Sequence, residues 1–192
     1  IYGEKCVDYF EGMWAFAIYD KRNKKIFLSR DRFSEKPLYY YTDKYGIYFA
    51  SEIKFLKSLS NNNFEINKKH LNNFISLGYK SLFKENNTFF KNVSFISGGN
   101  NISFNADLSL KKSRYWKPKI KKNEKISLQD CIKETQRLLI DSLKIRLRAD
   151  VPIAICLSGG VDSAALASIL SKKFNYKAKT FSIIDEDDRY DE

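Results

Sequence analysis

Residues 152–157 (Pro-Ile-Ala-Ile-Cys-Leu) form an unbroken apolar run that passes directly into Ser158-Gly159-Gly160-Val161-Asp162-Ser163. Continuous apolarity, rather than alternation, predicts a parallel strand covered on both faces, with Cys156 packed in the core. Ala165, Leu166, Ile169 and Leu170 then recur at helical spacing, and residues 179–184 read as a second apolar strand. A strand, a helix and a strand within about 35 residues make a right-handed βαβ unit of an α/β sheet.

The glycine turn between the first strand and its helix points backbone N–H groups at one spot, and the helix dipole adds positive potential there. Two glycines let an anion approach the backbone. Ser158 and Ser163 supply hydroxyls, and Asp162 can hold a Mg²⁺ ion that bridges phosphate oxygens. This composition suits a phosphate or pyrophosphate at the carboxyl edge of the sheet. It is not the Lys-containing loop GxxxxGK[ST], since no Lys lies between Ser158 and Ser171, and it is not GxGxxG. An ordinary serine-capped turn is the bland alternative, and six specified residues between a strand and a helix speak against it.

The amino-terminal part has a different rhythm. Residues 13–19 and 25–29 flank the polar turn Asp20-Lys21-Arg22-Asn23 and predict a hairpin. A second hairpin joins residues 38–41 to 47–50 through Asp43-Lys44-Tyr45-Gly46, with Gly46 expected at positive φ. A short helix is expected over 51–59. Another should run from an Asn67 cap to about Leu77, with Leu71, Phe74 and Ile75 on one side and a stop at Gly78. Two short strands surround residues 97–100. Residues 111–125 hold eight basic groups and one acid and read as an extended linker. Ser127 caps the next helix, with Asp130 three residues on and Leu128, Ile132, Leu139 and Leu143 along one face.

The 192 residues are 43% apolar and 30% charged, which supports a packed core and excludes wholesale disorder. No run approaches the ~20 apolar residues of a membrane helix. Cys6, Cys131 and Cys156 form no CxxC pair, so neither a disulfide framework nor a zinc site is indicated, and a reducing cytoplasm is expected. The net charge of +11 invites a nucleic-acid reading, but its distribution argues against one. Residues 111–125 alone carry +7, whereas residues 126–192, with the glycine loop, sum to −1. The single histidine, His70, is expected on the surface, and Arg30 and Asp31 as a buried structural pair.

Ser158 to Ser163 resembles the pyrophosphate loop of the N-type ATP pyrophosphatases. Upstream, Phe10-Glu11-Gly12-Met13-Trp14-Ala15-Phe16-Ala17, Ser29-Arg30-Asp31-Arg32-Phe33, Lys36-Pro37-Leu38-Tyr39-Tyr40 and Phe49-Ala50-Ser51-Glu52-Ile53-Lys54 resemble the second half of a class II glutamine amidotransferase domain. Together these blocks resemble the glutamine-hydrolysing asparagine synthetases along essentially the whole chain.

The resemblance implies an α+β amino-terminal part over residues 1–110, with the antiparallel αββα sheets of Ntn-hydrolases, incomplete here. It implies a basic linker over 111–125. From 126 to 192 it implies the start of a parallel α/β sheet of the adenine-nucleotide α-hydrolase type, also incomplete. The implied reaction is ATP-dependent amidation of aspartate to asparagine through β-aspartyl-AMP, using ammonia from glutamine and releasing AMP and pyrophosphate.

The implied cofactors are ATP and Mg²⁺, and the implied partners are aspartate, glutamine and ATP, with no nucleic acid and no membrane; a homodimer is compatible. Leu157 would lie against adenosine, Ser158, Gly159, Gly160, Val161 and Ser163 around pyrophosphate, Asp162 toward Mg²⁺, and Ile183 beside adenine. The chain begins at Ile1 and ends in a run of acids, so it reads as a fragment, inactive alone, with the nucleophilic cysteine upstream and no catalytic residue of the glutaminase inside it. Ser34, Ile96-Ser97-Gly98-Gly99 and Ile184 stand where the family usually has Gly, Pro-Pro-Gly and Gly. An amidotransferase for a sugar or another carboxylate is the alternative within enzymes. A basic RNA-binding or tRNA-modifying protein is the alternative outside them.

Overall fold

The computed structural model describes residues 1–79, 82, 86–122 and 125–183. The chain divides into two compact units, Ile1–Ile120 and Lys121–Glu192.

In the first unit every sheet contact is antiparallel. Strands β1 (Ala15–Asp20), β2 (Lys25–Arg30), β6 (Asn100–Phe104) and β7 (Leu110–Arg114) form one sheet in the order β1-β2-β6-β7. Strands β3 (Tyr39–Asp43), β4 (Gly46–Ala50) and β5 (Ser94–Phe95) form another in the order β4-β3-β5. Side-chain alternation decides which residues meet. Leu28, Ile102 and Phe104 from the larger sheet pack with Tyr40 of the smaller sheet and with Leu38 and Ile96. The neighbouring Tyr41 points the other way, joining Phe64, Val93 and Leu56 of helix α1 (Ile53–Ser60). The layers are therefore sheet, sheet, helix.

On the other face of the larger sheet, Phe27, Ser29, Asn101 and Ser103 are buried. A 3₁₀ helix at Gly3–Tyr9 buries Val7 completely. Ser103 Oγ donates to Glu4 Oε1 at 2.9 Å. The Lys25 ammonium also donates to the Glu4 carboxylate, and this bond holds that carboxyl below the usual carboxylate range.

Arg30 ends β2 and Asp31 follows it; they are 8% and 1% exposed. The Asp31 carboxylate accepts from the N–H groups of Phe33, Glu35 and Lys36 at 3.0, 3.0 and 2.9 Å. Arg30 donates from Nε to Lys36 O, from Nη1 to Ile96 O and from Nη2 to Ser34 O. Burial pushes the guanidinium below its ordinary value. The pair thus satisfies the backbone of the loop that turns from β2 into β3, which bears out the structural reading. Ser34 itself sits at φ +62, a left-handed conformation that glycine adopts without strain.

Tyr115 OH donates to Arg30 O at 2.7 Å. Burial pushes its phenol up to about 12. Its neutral form therefore stabilises the fold below the ordinary tyrosine value of about 10. That contribution is lost as pH rises from about 10 through 12. Phenolate absorbance should show a late-titrating tyrosine that is missing from the Tyr115→Phe chain; identical titration curves would refute this.

Helix α2 (Lys68–Leu77) starts at Asn67, whose side chain accepts from His70 N, and stops at Gly78, φ +68. Its packing differs from expectation. Phe74 and Ile75 are 36% and 72% exposed, while His70 is 7% exposed and meets the edge of Phe89 at 5.0 Å. The Asn67 cap fixes the first turn of α2 so that its third residue faces Phe89, and Lys68 and Lys69 remain outside. The backbone also differs from expectation at two places. Gly46 does not adopt positive φ, because the Asp43 carboxylate accepts from Tyr45 N and Gly46 N and closes the turn without a left-handed residue. Lys111 to Arg114 is not linker: it continues β7, paired with β6, because a Lys-rich segment is well suited to an edge strand.

In the second unit, helix α3 (Leu128–Arg146) begins as expected. Ser127 Oγ accepts from Asp130 N at 3.1 Å and donates to Asp130 Oδ2 at 2.7 Å. Strands β8 (Ala154–Cys156) and β9 (Lys179–Phe181) pair in parallel, with Ile155 opposite Thr180, and helix α4 (Val161–Phe174) joins them. Leu170 is the deeply buried residue of α4, at 3% exposure. The expected burial of β8 on both faces is not observed: Ala154 and Cys156 are exposed and only Ile155 is half-buried. An apolar run sets the capacity for burial, but the layers packed over it decide the result, and among the described residues β8 has one strand neighbour. The expectations for Ile184, the acidic run 185–188 and residues 190–192 lie outside the described residues.

Candidate functional site

The glycine loop occupies the carboxyl end of β8, the position where open α/β sheets expose their strand-to-helix turns. Its base is tied to the neighbouring strand. Leu157 N donates to Phe181 O at 2.8 Å, and Ser182 Oγ donates to Leu157 O at 2.7 Å. Ser182 was not expected to take part; its only sequence signal was its place in the strand read over residues 179–184.

Gly159 sits at φ +86, so a side chain there would be strained. Gly160 is the helix N-cap residue and provides no side-chain cap. The first-turn N–H groups of α4 therefore have no side-chain acceptor at the cap, and a helix supplies none of its own. A β-carbon on Gly160 would stand 3.3 Å from Ser158 Oγ, so the turn is tight.

Two hydroxyls converge beside it. Ser158 Oγ and Ser163 Oγ lie 3.4 Å apart, and Ser163 Oγ donates to Gly160 O at 3.0 Å. Asp162 lies in the first turn of α4 and is exposed, with no hydrogen bond or ion pair among the described residues. The structure thus brings Ser158, Gly159, Gly160, Asp162 and Ser163 into one turn and anchors Leu157 below it. The side chains of Val161 and Ile183 are left open, at 80% and 99% exposure.

The donor set fits a polyphosphate. It combines first-turn amide N–H groups without a side-chain cap, the Gly160 N–H at a long 3.4 Å from Ser158 Oγ, two hydroxyls and the positive end of a helix. One carboxylate is enough for Mg²⁺ when phosphate oxygens complete the shell, which is how that ion is usually held. Among the described residues no group of three or more His, Cys, Asp or Glu side chains forms a self-sufficient metal site. Among them, too, no helix is long and apolar enough to cross a membrane.

Comparison with known proteins agrees with this division. Residues 1–116 match the family model of the glutamine amidotransferase domain, and residues 134–192 match that of asparagine synthase. A putative glutamine-hydrolysing asparagine synthetase of Methanocaldococcus jannaschii is 36% identical over 99% of this chain. A glutamine-hydrolysing asparagine synthetase of Bacillus subtilis is 33% identical over 95% of it. An amidase of Penicillium rubens is 28% identical over 88% of it. The chain spans 37%, 28% and 25% of the lengths of these three relatives.

Proposed function

Since the chain belongs to the glutamine-hydrolysing asparagine synthetase family, we propose that it serves ATP-dependent amidation of aspartate to asparagine through β-aspartyl-AMP, with ammonia drawn from glutamine and with AMP and pyrophosphate released. The observation that carries this reading is the uncapped glycine loop at the end of β8, downstream of an amidotransferase-like unit.

The two units would then be an Ntn-hydrolase-like αββα part and the start of an adenine-nucleotide α-hydrolase-like sheet, with residues 111–125 leading from one to the other. Leu157 and Ile183 would form the apolar wall for the nucleoside. Amide N–H groups at Gly159, Gly160 and Val161, with the Ser158 and Ser163 hydroxyls, would hold the departing pyrophosphate. Asp162 would hold Mg²⁺, which when bound offsets charge on the phosphate oxygens. Gly159 permits the bend that aims these donors, and Ser182 keeps the loop base on β9.

The test is ATP–pyrophosphate exchange in the full-length protein that carries this chain. Aspartate should stimulate exchange. Exchange that ignores aspartate and responds to another acid or a sugar would replace the aspartate reading with its alternative.

A further inference from the structure

A second pocket, far in sequence from the glycine loop, lies wholly within the first unit. It has a volume of about 550 Å³, within the range of small-molecule sites. Arg30, Phe33, Tyr39, His70, Phe89 and Phe95 line it.

Two of these side chains are more than nine-tenths buried and under-used. A guanidinium carries five N–H donors, and three of Arg30's are engaged with carbonyls, which leaves one on each terminal nitrogen. Among the described residues no carboxylate forms an ion pair with Arg30, and the adjacent Asp31 carboxylate is turned to backbone N–H groups. His70 offers its imidazole to the pocket and has no side-chain hydrogen-bond partner among the described residues. It stands in the first turn of α2, where the helix dipole is positive. The Thr88 hydroxyl, also on the wall, is already committed to Phe90 and Val93.

Two of the guanidinium N–H groups are thus left over, and a planar guanidinium edge matches a carboxylate in shape as well as charge. The remaining walls are the rings of Phe33, Phe89 and Phe95, which suit an apolar or aromatic body rather than an inorganic anion. One guanidinium favours one negative charge. We propose that this pocket binds a small organic monocarboxylate, its carboxylate held by Arg30 and His70 and its apolar body by the three phenylalanine rings. The site is independent of the nucleotide loop and of the amidation assigned above.

Because His70 is the only histidine of these 192 residues, its imidazole C–H signals report on the pocket directly. Benzoate is a suitable probe, with benzamide as its neutral counterpart. Proton NMR should show a saturable shift of the His70 signals with benzoate and at least about tenfold weaker binding of benzamide. No saturable shift, or equal affinities, would overturn the proposal. Arg30 also holds three carbonyls, so its replacement would confound binding with folding. The His70→Gln chain is the cleaner variant: calorimetry should show benzoate affinity reduced by about tenfold at unchanged melting temperature. Undiminished affinity in that chain would also overturn the two-residue clamp.

Discussion

Replacing Asp31 with alanine is expected to destabilise the first unit by about 3–5 kcal/mol, a large share of what holds an ordinary domain together. The carboxylate is 1% exposed and accepts from three backbone N–H groups of one loop. Alanine would leave those donors buried without acceptors and would strip Arg30 of its nearest negative charge. The loop between β2 and β3 would lose its internal scaffold. Both tryptophans, Trp14 and Trp116, lie in the first unit, so tryptophan fluorescence during urea unfolding follows that unit alone. A midpoint shift worth less than about 1 kcal/mol would mean that the loop is held by other contacts.

Asp162→Asn should have the opposite profile. Asp162 is exposed and makes no hydrogen bond or ion pair among the described residues, so the fold loses only its favourable placement at a helix N-terminus, under about 1 kcal/mol. If Asp162 holds Mg²⁺ against the phosphates, ATP–pyrophosphate exchange in the full-length protein should fall by about a hundredfold or more. Thermal unfolding followed by circular dichroism should be almost unchanged. Exchange near the original rate would remove Asp162 from the metal-binding role. Two aspartates of the same chain would thus divide cleanly, one serving the loop's structure and the other the ligand's charge.

The part of the site that could be read from residue order is the part made by neighbours in the chain. Ser158 to Ser163 are consecutive, and glycine geometry with a following helix is enough to bring their donors together. The Asn67 and Ser127 caps reach only three residues ahead, and both were legible for that reason. The two hairpins likewise depend on turns of a few residues. Their turn chemistry was less legible, since Asp43 closes the second one through its carboxylate and Gly46 needs no positive φ.

What residue order left open depends on partners distant in the chain. His70 looked like a surface residue among lysines until Phe89 closed over it. Among the described residues β8 meets a single strand, and Cys156 is exposed there. Lys111 to Arg114 looked like linker until β6 supplied the hydrogen-bonding edge. The sequence by itself determined the local frames: the glycine loop between a strand and a helix, the helix starts, the hairpins and the change from antiparallel to parallel rhythm. Only the tertiary structure decided burial, edge pairing and the pocket around Arg30 and His70. Backbone geometry and capping act over a few residues, whereas desolvation is set by whatever segment, however remote, comes to lie on top.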